Sequence, residues 1–153
     1  MGWWSRNIMG GDTPWDFEDL IYDVVGKEKY PERPGVKPAD QERVNLTKED
    51  FDSQIDNIEK EILDFAWSSD ATDIGYQVLG YMMMEAGGNL EGELKTKIIN
   101  ACKNDSRAAV DQERKEVMDR MIKQIQEYKN IATPNPDQDY GVFAAIANKL
   151  GKE

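Results

Sequence analysis

The sequence predicts an all-α fold: a single-domain irregular helical bundle of five or six helices, spanning residues 1–153, with an extended proline-rich connector after helix one. Three observations carry that expectation. Apolar residues recur at helical spacing through most of the chain, most regularly at Phe51, Ile55, Ile58, Ile62 and Phe65. Capping residues stand just before several of these stripes, and glycines stand just after them. No run alternates polar and apolar residues for more than about four positions, so nothing asks for a strand.

Helix one is expected to begin near Pro14, whose missing N–H would be unpaired in a first turn anyway. Thr13 is the expected N-cap, with Asp16 three residues on as a capping-box acid. Phe17, Leu20 or Ile21, and Val24 follow at helical spacing, and Asp16, Glu18 and Asp19 place negative charge on the dipole-positive first turn. Gly26 suits the position just past the end. Upstream, Trp3, Trp4 and Ile8 are too apolar for a free tail and are expected to pack against the body.

This opening carries a likeness. Met1, Gly2, Trp4, Asp12, Asp16, Phe17 and Asp19 resemble the start of a family of small, acidic, uncharacterised bacterial and phage proteins, whose pattern runs Met-Gly-x-Trp, then Asp, then Asp-Phe. Leu79–Leu94, LGYMMMEAGGNLEGEL, is similar in style to the later helical part of such proteins. The family has no established activity, so the resemblance implies an intracellular microbial or viral setting and no mechanism.

Pro31, Pro34 and Pro38 interrupt any helical period in Lys27–Asn45, which reads as a connector long enough to drape over the body. Thr47 and Asp50 then repeat the capping signal, with Leu46 available as a hydrophobic staple for helix two. That helix carries Glu49, Asp50, Asp52, Asp56, Glu59, Glu61 and Asp64 against only Lys48 and Lys60. Asp52 and Asp56 lie four apart, a like-charge spacing that costs a few tenths of a kcal/mol. Trp67–Asp70 breaks the pattern and caps helix three, Ala71–Ala86, which Gly87 and Gly88 end. Gly75 and Gly80 each weaken a helix by roughly 1 kcal/mol relative to alanine, a cost that close approach of a neighbouring helix explains. Met82, Met83 and Met84 supply an adaptable apolar surface.

Asn89 is the expected cap of helix four, Leu90–Lys103, with Leu90, Leu94, Ile98 and Ala101 or Cys102 on one face. Helix five is expected over Arg107–Tyr128, its stripe running Val110, Val117, Met121, Ile125 and Tyr128, with Glu116 and Arg120 paired at i, i+4. Ala132–Asp139 reads as a turn-rich linker to a short helix six, Tyr140–Leu150.

Charge decides more about function than any motif does. The net charge of −11 is placed unevenly: Met1–Tyr76 holds 8 Lys and Arg against 18 Asp and Glu, and the remainder holds 11 against 12. Such a surface is repelled by nucleic acid and by anionic membrane and attracted to basic surfaces. Histidine is absent, which removes the commonest general base and metal ligand. Cys102, the lone cysteine, reads as a small buried hydrophobe. No phosphate-cradling glycine loop, nucleophile elbow or paired-cysteine site occurs. No apolar run approaches the roughly 18 residues of a membrane span, and the start lacks signal-peptide features. The expected setting is cytoplasmic.

The leading expectation is therefore a non-catalytic acidic module, with no cofactor or metal, that covers a basic surface on a protein partner through Asp16, Glu18, Asp19, Asp23, Asp52, Asp56 and Glu59. Small acidic inhibitors, immunity proteins and nucleic-acid mimics work through such complementarity. Two alternatives stand beside it. One is a magnesium-dependent enzyme using Asp12, Asp16 and Asp19, or Asp70 and Asp73, since magnesium takes oxygen ligands. The other is a structural or assembly subunit, with self-association supported by the Met and Trp content.

Overall fold

A computed structural model of the chain describes residues 8–31, 33–37 and 40–134. Among them are five α-helices and no strand: α1 (Asp12–Val25), α2 (Lys48–Phe65), α3 (Ser69–Ala86), α4 (Gly92–Lys103) and α5 (Gln112–Glu127). The fold is the expected all-α bundle. Helix six, Trp3 and Trp4 fall outside the described residues.

The helix that organises the packing is α3, which lies against α1, α2 and α4, while α5 packs on α4. Ten consecutive residues of α3, Gly75 to Met84, are buried, so the three methionines are core on every side rather than one stripe of it. Its two interior glycines are where neighbours come closest. A Cβ on Gly75 would lie 2.6 Å from Ile62 Cγ2 and 2.9 Å from Phe17 Cε1, and one on Gly80 would lie 2.7 Å from Ile98 Cγ2. Helices α1, α2 and α4 thus all press on α3, and the helix-propensity cost of glycine is offset by that contact.

The ends of the elements show which local signals governed. At α2 the expected capping box forms in full: Asp50 N–H donates to Thr47 Oγ1 at 3.2 Å and Thr47 N–H donates to Asp50 Oδ2 at 2.8 Å. Gly26 and Gly87 close α1 and α3 in the left-handed conformation, at φ 74° and 82°. Ser68 caps α3, accepting from Ala71 N–H.

Helix α3 starts at Ser69, two residues before the expected Ala71, and at three other places the capping differs from expectation. The N-cap of α1 is Gly11 and not Thr13, so Thr13 lies within the first turn. Asn89 does not cap α4, which starts at Gly92. Its backbone N–H instead donates to Asp52 Oδ1 at 2.8 Å and its side-chain oxygen accepts from Asn130. Arg107–Val110 is a turn rather than the start of α5, because Asp111 caps that helix by accepting from Glu113 and Arg114 N–H. Val110 is left 89% exposed, off the stripe assigned to it.

Between α4 and α5 lies a buried polar network. Arg114 is fully buried, and its guanidinium donates to Asp105 Oδ1 (3.2 Å), Asp105 Oδ2 (3.0 Å) and Gln77 Oε1 (3.0 Å). Gln77 in turn donates to Asp105 Oδ2 and to the Ala101 carbonyl, and Asp105 Oδ1 accepts from Ala108 N–H. Burial alone pushes the Asp105 carboxyl up; the hydrogen bonds from Arg114 and Gln77 outweigh it and hold the carboxyl below its ordinary value. Beside it Cys102 is buried and its thiol is pushed up to about 12, chiefly by burial, as a core hydrophobe rather than a nucleophile.

Candidate functional site

The acidic N-terminal half presents two helices side by side. Lys27 near the end of α1 pairs with Asp50 at the start of α2, and Phe17 meets Phe65 at the far end of α2, so the two run antiparallel. Each has one face sunk into the core through Phe17, Ile21 and Tyr22, or Phe51, Ile58 and Ile62. What faces water is then fixed by the helical period.

On α1 the outward face is a row of four carboxylates. Asp12, Asp16, Asp19 and Asp23 recur at i, i+4, i+7 and i+11, and all four are exposed. The row spans about 16 Å at the helical rise. Asp16, Asp19 and Asp23 were expected at a partner surface, and Asp12 joins them; among the described residues only Asp19 has a cation beside it, Lys29 at 3.3 Å. On α2, Asp52 and Asp56 are exposed one turn apart. Asp52 is engaged by Lys48 at 2.9 Å and by Asn89 N–H, which hold its carboxyl below the ordinary value against the opposing effect of burial.

The other two predicted residues are engaged inside the fold. Glu18 is only 2% exposed, so it adds nothing to the outer face. It forms ion pairs with Lys29 and with Arg43 (2.7 Å), and Arg43 reaches on to Glu85 at 2.8 Å. These bonds fasten the proline-rich connector onto α1, together with the Tyr22 hydroxyl, which donates to the Val44 carbonyl, and Val44 N–H, which donates to the Lys29 carbonyl at 2.8 Å. The connector is therefore draped, as its composition suggested. Lys29 also sits over the Trp15 ring, 4.5 Å from its centroid. Burial pushes its ammonium down, and Glu18 and Asp19 outweigh that to hold it above its ordinary value. Glu59 is half-buried, accepting from the Tyr76 hydroxyl at 3.0 Å and pairing with Lys97 at 3.2 Å.

A signal for Glu18 was present. It lies three residues before Ile21 and four before Tyr22, on the apolar stripe, where an acid calls for a buried cation. Arg114 gives the same signal, three residues before Val117 and seven before Met121.

Among the described residues no group of three or more Asp, Glu or Cys side chains stands close enough to hold a metal ion. Asp73 is half-buried near Asp70 and Asp105: burial first and the two neighbouring carboxylates second push it up to about 6. No described helix is long and apolar enough to cross a membrane. Comparison with protein-family models, curated proteins and solved structures returns no match to this chain.

Proposed function

We propose that this chain is a non-catalytic acidic protein-binding module that covers a basic surface on a partner protein, in the manner of an inhibitor, immunity-type or nucleic-acid-mimic protein. The observation that carries the reading is the α1 row, Asp12, Asp16, Asp19 and Asp23, four exposed carboxylates along one helix face of a chain with net charge −11. Such a row raises the rate of encounter with a basic partner and penalises acidic competitors. Asp56 extends the acidic surface to α2, whereas Glu18 and Glu59 act from beneath as braces for the two helices.

The test is capture of the partner from the native host by the full chain, then titration of the purified partner at rising salt. Affinity falls as salt rises, and a triple reversal of Asp16, Asp23 and Asp56 to lysine abolishes binding while circular dichroism stays unchanged. Normal binding by that variant, or a captured partner without a basic surface, overturns the reading.

A further inference from the structure

At the end of α2 the molecule leaves aromatic surface uncovered. Phe65 and Trp67 are 42% and 66% exposed, packed edge to face with ring centroids 6.1 Å apart, and Phe65 rests in turn on the fully buried Phe17 at 5.3 Å. The ledge is held in place from below and behind. Phe17 belongs to the core under Gly75, and the Ser68 cap fixes the turn that carries Trp67 into α3.

Its surroundings are acidic. From Glu59 to Asp73 there are five acidic residues and one base, Lys60. The last turn of α2 contains no basic residue, and Asp64 adds a carboxylate to the end of the helix where the carbonyls already gather negative charge. Asp70 stands just beyond, in the first turn of α3.

We infer that the Phe65–Trp67 ledge, flanked along the chain by Asp64 and Asp70, docks an arginine-bearing basic segment of a partner protein. A guanidinium lies flat on an aromatic face while its fork pairs with a carboxylate, which satisfies both features of the ledge at once. A purely apolar occupant would strip water from the carboxylates without replacing it. A second copy of this chain would bring another −11 charges to a negative surface. The molecule already uses the same chemistry internally, where Lys29 lies over Trp15 and pairs with Glu18. This inference deepens the reading above and rests on its claim that the partner is basic.

The experiment titrates the full chain with two defined probes, acetyl-tetra-arginine amide and acetyl-tetra-lysine amide, by calorimetry and by the NMR shift of the Trp67 indole N–H. The arginine peptide is expected to bind more tightly than the lysine peptide and to move the Trp67 signal. Trp67→Ala weakens the arginine peptide about threefold and removes its advantage over lysine. Asp64→Asn weakens both peptides. Equal binding of the two peptides, or an unchanged arginine titration in Trp67→Ala, overturns the inference. So does a concentration-dependent dimer in light scattering that Trp67→Ala abolishes, because a second copy then occupies the ledge. If the Asp16, Asp23 and Asp56 reversal abolishes partner binding while Trp67→Ala keeps it, this inference fails and the wider reading stands.

Discussion

The Asp105–Arg114–Gln77 network, which joins α3 at its middle, and the Glu18–Lys29–Arg43–Glu85 network, which joins it in its last turn, are made of the same groups, arginine forks on carboxylates. They differ in their access to water. In the first, all three side chains are nearly or wholly buried, and the network closes the turn between α4 and α5. In the second, Glu18 and Lys29 are buried, but Arg43 and Glu85 each keep about a quarter of their side-chain surface, and what is fastened is a connector rather than a helix. A sealed network leaves nothing to solvate a charge that loses its partner, whereas an open one lets water take that place. The first should therefore govern the stability of the whole bundle, and the second the attachment of one segment.

The largest expected effect follows from that contrast. Arg114→Met leaves Asp105 and Gln77 buried without their main donor and should cost about 3–5 kcal/mol in urea denaturation. Adding Asp105→Asn should recover part of the loss, because no buried charge then remains. Glu18→Gln should cost less, about 2 kcal/mol, since Arg43 can reach water and keeps Glu85. Its signature is local: amide exchange should accelerate at Val44, whose N–H bonds to Lys29, before it accelerates in α3. Equal costs at the two sites would erase the distinction.

The two acids at the sealed network should respond to pH in opposite directions. Asp73 has a folded value of about 6 against an ordinary 3.8, so the unfolded chain releases its proton first and stability declines as pH rises through that window. Asp105 is shifted the other way, so its contribution is present above 3.8 and is lost as pH falls below it. Asp73→Asn should remove the decline between pH 4 and 6 and raise stability at pH 7. Denaturation curves at four pH values check this, and an unchanged slope would sink it. The smallest effect belongs outside both networks. Asp16→Asn with Asp23→Asn should change stability by less than about 0.5 kcal/mol, because both side chains are exposed.

Local rules recovered much of this protein because local physics sets them. Thr47 and Asp50 cap each other within four residues, Gly26 and Gly87 stop helices through their own backbone freedom, and the Phe51, Ile58, Ile62 stripe needs only the helical period. Phe65 shows where the stripe ran out: it shares the period of its neighbours, yet the bundle ends before covering it. Of the acids expected at a partner surface, the α1 row was legible because exposure there follows from Phe17 and Ile21 facing inward. Glu18 carries a signal of burial in its place on the apolar stripe, but its partner and that of Glu59 were not legible, because Arg43 lies 25 residues from Glu18 and Lys97 lies 38 from Glu59.

Composition, capping and periodicity by themselves determined that the chain is helical, where α2 begins, and that negative charge gathers in the first half. Tertiary structure alone decided that Glu18 and Glu59 are taken up by distant partners, that α3 is buried along ten consecutive residues, and which groups fasten the connector to α1. The reason is range. A capping box or an apolar stripe is complete within a few turns of one helix, whereas a buried ion pair exists only once two distant segments have met and water has been excluded from between them.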